Sequence, residues 1–307
     1  MIMIRELKIG NIKWIDSVWL KDDSIKEILN KYNIHELDLE ACIEWNQKAR
    51  IDKYKDYSFL IFHFPKYNKI KKVYDLNEFN IFLWKDFLLT FRYTTWSHIN
   101  KIFKYYNDIK IATKKKDIKI TSGYILYEIT QAMLEKMFRV TKRITIDIKK
   151  IEKQIFDWDN NTSLVKDILI KKRNIVLLKH MFRPQVNVLK QLETVVNELY
   201  EWKIEVYFED LEDKLEQIVN EINTLQEYIE SIEDAFKSMV DIKTNFVIKI
   251  LTVFSAFMLP LTFITSFYWM NVDLPFSENI KSVIFLLFIS LFFMVLIYVI
   301  LRKKWKF

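Results

Sequence analysis

The chain has 307 residues, 51% of them hydrophobic, with 47 Lys/Arg against 40 Asp/Glu and a net charge of +7. A single cysteine, Cys42, excludes an intrachain disulfide and fits a reducing compartment. Two glycines in all, Gly10 and Gly123, exclude Gly-rich phosphate loops and dinucleotide fingerprints.

Residues 1 to about 120 read as a mixed α/β region. Runs rich in β-branched and aromatic residues predict strands at Tyr57–Phe64, Glu78–Trp84 and Phe87–Tyr93, the last two joined by a two-residue turn at Lys85-Asp86. Helical patterns fall at Asp23–Tyr32, His35–Trp45 and Ser97–Lys110, before a Lys-rich loop at 114–116.

From Ser122 onward the pattern is helical. One helix is expected over about 122–158, ended by Asn160-Asn161, and a second over about 163–200. A third starts near Trp202. Its residues Leu211, Leu215, Ile218, Ile222, Leu225, Ile229, Ile232, Phe236 and Met239 repeat at 4,3 spacing, a four-heptad coiled-coil seam. No Pro or Gly interrupts Gln185–Leu259, so this helix runs about 65 residues, roughly 100 Å. A helix that long needs partners in other subunits or in helices folded back on it. Residues 136–190 carry 14 Lys/Arg against 5 Asp/Glu, and residues 201–241 carry 13 Asp/Glu against 3 Lys. The two regions are expected to face one another.

Two windows, 250–272 and 282–301, hold no formal charge. Each has the roughly 20 apolar residues that cross a bilayer. The alternative is a buried core hairpin of a soluble protein. The expected spans are about 250–269 and 282–301. The tail carries Arg302, Lys303, Lys304 and Lys306, so both termini are expected to be cytoplasmic with a short outer link. The start of the chain, MIMIRELKIG, has no apolar signal segment, and the sequon at Asn160 is read as chance. The tail also reads as an anionic-lipid anchor.

The four histidines, His35, His63, His98 and His180, show no metal-ligand spacing, and no catalytic triad or carboxylate pair can be argued. The chain is not expected to be an enzyme. The basic, aromatic segment 92–116 has nucleic-acid character, but no nucleic-acid partner is expected of a membrane protein.

The first apolar window ends in Tyr268-Trp269-Met270-Asn271. Upstream lie Asn245-Phe-Val-Ile-Lys-Ile-Leu-Thr and Leu259-Pro260-Leu261-Thr262. This stretch resembles the CorA family of magnesium channels, whose first membrane helix ends in Tyr-Gly-Met-Asn. His180-Met-Phe-Arg-Pro184 and the acidic Tyr207-Phe-Glu-Asp210-Leu-Glu-Asp213 resemble further segments of that family. The departure is Trp269, where the family has Gly. An indole there could crowd the pore mouth or sit in the headgroup belt, where Trp is common.

The resemblance implies an α+β cytosolic domain with a long helical stalk and a two-helix transmembrane hairpin, assembled as a funnel-shaped homopentamer. The expected regions are an N-terminal domain over 1–120, antiparallel "willow" helices over 121–200, the cytosolic stalk over 201–249, and the hairpin with its tail over 250–307. It implies a divalent-cation channel in the cell membrane, carrying Mg2+ with Co2+ or Ni2+ as surrogates, with self and membrane lipid as its partners. Two alternatives stay open: a Zn2+ transporter of the same superfamily, and a non-conducting membrane-anchored sensor or scaffold.

By the same resemblance, Tyr268, Trp269, Met270 and Asn271 form the selectivity filter. A ring of Asn271 amides would hydrogen-bond the waters that Mg2+ keeps; a lone Asn there also reads as a helix C-cap. Asn245, Ile248, Leu251, Leu259 and Thr262 fall at pore-lining or gate positions. The apolar ones also read as lipid-facing packing, and Thr262 as a hydroxyl bonded to its own helix. Asp210 falls at a regulatory metal position, bridged by the ion to a carboxylate of a neighbouring subunit. Asp75, Glu78 and Asp86 are candidates for that partner. The other reading of Asp210 is a solvated charge on an acidic face.

Overall fold

The computed structural model describes residues 3–18, 22–44, 47–109, 120–157, 163–200, 204–270 and 280–305. These divide into two units, Met1–Glu233 and Asp234–Phe307.

The first unit is built on a six-stranded sheet of β1 (Met3–Ile9), β2 (Ile12–Val18), β3 (Arg50–Lys53), β4 (Ser58–Asn68), β5 (Val73–Leu83) and β6 (Phe87–Arg92). The strand order is β1-β2-β6-β5-β4-β3. All neighbours are antiparallel except β2 and β6. Three of the six strands, β1 to β3, go beyond those expected. β1 (MIRELKI) and β3 (RIDK) alternate with charge because each is an edge strand. The turn at Lys85-Asp86 is present, with Trp84 N–H donating to the Phe87 carbonyl at 2.9 Å.

Helices cover both sheet faces, which explains the near-continuous burial of β4 and β5. On one face α1 (Asp22–Lys31) and α2 (Glu36–Ile43) close a core of Ile15, Phe59, Ile61, Phe82, Leu89 and Phe91. His35 caps α2, its Nδ1 accepting from Leu37 N–H. Over the other face pack α3 (Ser97–Ile109), α4 (Ser122–Phe156) and α5 (Ser163–Leu199). Phe64 meets Phe182 edge-on there, and the Gln185 amide bridges the backbone of His63.

α6 (Glu205–Tyr268) is a single 64-residue helix. Up to Glu233 it packs with α4 and α5. Glu221 accepts from Thr141, and Tyr228 donates to Glu152, so α4 and α6 run side by side in the same direction. α5 runs against both: Lys171 pairs with Asp147, Lys190 with Glu212 at 2.9 Å, and Lys172 with Glu233 at 2.7 Å. The basic and acidic regions therefore meet within one chain. Solvent-screened pairs of this kind add little; burial of the seam is the larger effect. Leu211, Leu215, Ile218, Ile222, Leu225, Ile229 and Ile232 are all at most 5% exposed. From Leu211 to Ile232 the seam is thus satisfied by helices folded back on it, while Phe236 and Met239, in the second unit, are half-buried.

The second unit holds the rest of α6 and α7 (Ile280–Trp305). α6 contains a window long and apolar enough to cross a membrane, and none of that window is buried. α7 has 26 residues and contains the uncharged run 282–301.

Candidate functional site

In the second unit, α6 presents two chemically distinct faces. Asn245, Ile248, Thr252, Ser255, Leu259, Thr262 and Ser266 follow one another at spacings of 3,4,3,4,3,4 and so share one stripe. All seven are exposed. Phe246, Ile250, Phe257 and Ile264 fall on the opposite side, which carries no Ser, Thr, Asn or Gln between Phe246 and Ile264. A span facing lipid all round would have no use for such a split. The stripe contains four of the expected path residues, Asn245, Ile248, Leu259 and Thr262. Leu251 lies at its flank. Thr252, Ser255 and Ser266 were missed by motif reading; the seven-residue repeat of small polar side chains was the signal that reveals them.

Asn245 and Ile248 line one shallow concavity with Lys249 and Thr252. Ile248, Leu251 and Leu259 are 54%, 61% and 67% exposed among the described residues. Thr262 Oγ1 donates to the Met258 carbonyl at 2.9 Å, and Thr252 does the same to Ile248 at 2.8 Å. The hydroxyls keep their oxygens as acceptors toward the stripe while their protons stay in the helix. Pro260 lacks an N–H, so the Ala256 carbonyl loses its usual helical donor.

α6 ends at Tyr268, whose side chain is not among those described. Trp269 N–H is shared between the carbonyls of Thr265 and Ser266 at 3.1 and 3.2 Å, which closes the helix. The Trp269 side chain is 89% exposed and that of Met270 54%. Asn271 lies outside the described residues.

Asp210 is not a bare carboxylate. It accepts from Lys214 Nζ at 2.5 Å, one turn along α6, and its charge helps raise the Tyr127 hydroxyl to about 12, behind the larger effect of burial. Of its three expected partners, Glu78 is removed by the fold. It is 2% exposed, and its carboxylate accepts from Gln47 N–H and from the Asn80 amide. Its place opposite His63 in the β4–β5 register turns it inward. Asp75 and Asp86 are both exposed.

One set of carboxylates comes close together among the described residues. Oxygens of Glu193, Glu205 and Glu209 lie within 4.8 Å of one another. Burial, and then the neighbouring Glu212, Glu209 and Glu205, raise the Glu193 carboxyl above its usual value. Sequence spacing hides this group because Glu193 comes from the end of α5 and the others from the first turns of α6.

A family model described as "CorA-like Mg2+ transporter protein" matches residues 10–303. The cobalt/magnesium transport protein CorA of Thermotoga maritima is 26% identical over 267 residues, covering 85% of this chain and 73% of the relative. The protein of the same name from Methanocaldococcus jannaschii is 22% identical over 296 residues, covering 95% and 90%. The complete structure of the CorA magnesium transporter from Methanocaldococcus jannaschii superposes with a TM-score of 0.80 over 97% of this chain and 93% of that one, at 20% identity. The fold is the same.

Proposed function

Because this chain belongs to the CorA family of Mg2+ transporter proteins, we propose that it moves divalent cations across a membrane, with Mg2+ as the substrate and Co2+ accepted. The observation that carries this reading is the family match over residues 10–303, nearly the whole chain. The two-faced helix α6 supports it, as do the substrates in its relatives' names. It is a transporter and not an enzyme.

In this reading α6 from about 250–269 and α7 from about 282–301 cross the bilayer, with both termini cytoplasmic. Copies of the chain assemble, five by family resemblance, so that the stripe from Asn245 to Ser266 faces a common axis. Mg2+ gives up water reluctantly. Hydroxyl and amide oxygens on the stripe would hydrogen-bond its hydration shell rather than replace it. Ile248, Leu251 and Leu259 would narrow the path with apolar rings that close by dewetting. Asn271, with Met270, Tyr268 and Trp269, would form the entrance.

Closure would follow from a divalent cation bound near Asp210 between subunits. Such an ion must compete with Lys214, whose ammonium already neutralises that carboxylate. Its loss would loosen the contact and shift the population toward the open state.

The test is uptake by a strain that requires added Mg2+, paired with flux into liposomes containing the purified full chain. Rescue by the intact chain and Mg2+ flux are expected. No rescue and no flux of any divalent ion would leave a non-conducting anchor or sensor. Zn2+ flux without Mg2+ flux would move the chain to zinc transport.

A further inference from the structure

We infer that the first unit carries a docking site for the headgroup of an anionic phospholipid, in a basic pocket between the β4–β5 turn and the start of α5. This site is independent of the ion path and of which ion is carried.

The pocket is lined by Lys71 and Lys72 from the turn and by Lys166 and Arg173 from α5. One carboxylate, Asp167, shares the lining, leaving a net charge of +3. All four cations are exposed. The contrast with their neighbours is informative. Lys171 and Lys172 lie on the same helix but are paired with Asp147 and Glu233. Lys166 and Arg173 show no such pair among the described residues. The first turn of α5, which begins at Ser163, adds the positive end of a 37-residue helix. Residues Val165 and Lys166 of that turn line the pocket.

The pocket is held in shape. The Asn68 side chain accepts from Ile70 and Lys71 N–H, both at 3.1 Å, which fixes the turn. Lys72 adopts a left-handed φ of 55°. Asn174, 1% exposed, then ties the turn to α5: it donates to the Lys72 carbonyl at 2.9 Å and accepts from Tyr74 N–H at 3.0 Å. The cations therefore project from a rigid support.

The apolar residues of the same surface decide the class of ligand. Ile70 is 96% exposed at the tip of the turn, while Leu169 is 56% and Val165 47% exposed on α5. A free phosphate would be served by the cations alone. An exposed isoleucine flanked by lysines matches a surface that is anionic outside and apolar just beneath, where each Lys or Arg contributes about 1 kcal/mol and inserted apolar side chains add to it.

The experiment uses the full-length protein in neutral detergent, with binding of dioctanoyl phosphatidylglycerol followed by native mass spectrometry. Dioctanoyl phosphatidylcholine and inorganic phosphate are run beside it. The variants are Lys71→Gln, Arg173→Gln, the triple Lys71→Gln/Lys166→Gln/Arg173→Gln, and the double Ile70→Ser/Leu169→Ser. Lys72 is left unchanged because of its backbone conformation. Phosphatidylglycerol affinity should fall about fivefold for each cation removed, and also in the apolar double variant. Phosphatidylcholine binding should not change. The basic tail is present in every variant, so it cancels from the comparison. The graded single variants keep the test valid should the triple one misfold. Phosphatidylglycerol binding unchanged in both single variants would overturn the proposal. So would phosphate displacing the lipid with the apolar double variant binding as the parent does, since that marks a free-phosphate site.

Discussion

The Gly123 N–H donates to the Tyr200 hydroxyl at 3.0 Å, and a Cβ added to Gly123 would lie 2.7 Å from Tyr200 Cε2. The same hydroxyl lies 2.5 Å from Ser122 Oγ, which in turn donates to the Trp84 carbonyl. One tyrosine at the end of α5 thus fastens the start of α4 to the sheet. Gly123→Ala gains about 1 kcal/mol in helix propensity. It meets a ring that is 6% exposed and held by hydrogen bonds, and overpacking of that kind costs about 1–3 kcal/mol. The expected net effect is destabilising, read as a lower midpoint in thermal unfolding of the detergent-solubilised chain. A higher midpoint would mean that Tyr200 can move aside.

Asp16 is fully buried and accepts from both Arg5 and Arg92, at 2.6 and 2.5 Å, and from Thr90 at 2.9 Å. Burial lowers the Arg92 guanidinium below its ordinary value, opposed by Asp16. Asp16→Asn leaves Arg92 charged, buried and without a counter-charge, so a loss of about 3–5 kcal/mol is expected. Denaturant titration measures it. A loss below about 1 kcal/mol would show that solvent reaches the site.

Burial pushes the His63 imidazole down to about 4. The folded value is below the unfolded one, so the unfolded chain takes up the proton first as pH falls. The neutral ring's contribution is complete above pH 6.5, is lost as pH drops through 4, and reaches about 3 kcal/mol in total. His63→Gln should flatten the decline of stability between pH 6.5 and 4 relative to the parent. Parallel curves would place the acid sensitivity elsewhere.

Trp269 is 89% exposed at the end of α6. In the proposed assembly, Trp269→Gly should raise Mg2+ flux or sharpen selectivity for Mg2+, measured in liposomes. Asn271→Ala should abolish that selectivity. An indole outside the ion path would leave the first flux unchanged. An amide outside the filter would leave the ion preference of the second variant as it was.

Asp210 shares its charge with Lys214. Asp210→Ala should weaken closure at high internal Mg2+, and Lys214→Ala should shift closure to lower Mg2+ by freeing the carboxylate. Normal closure in both variants, followed by flux against internal Mg2+, would remove this pair from the sensor.

Much of the helical architecture is legible in local pattern. The 4,3 spacing from Leu211 marks the inward face of α6, because a helix keeps residues three and four apart on one side. The Lys85-Asp86 turn, the two uncharged windows and the path stripe are equally local, since each depends on neighbours within a few residues. The pattern cannot say what covers a face. Whether the seam met another subunit or the chain's own α4 and α5 was settled by the return of α5, which brings Lys190 to Glu212 and Lys172 to Glu233. The same holds for Glu78, which read as a surface ligand until the pairing with His63 turned it into the interior. It holds for β2, whose parallel partner β6 lies some seventy residues away, and for the basic pocket, which joins Lys71 to Arg173. Periodicity reports which side of an element is apolar; long-range packing alone decides what that side touches and which charges are left facing water.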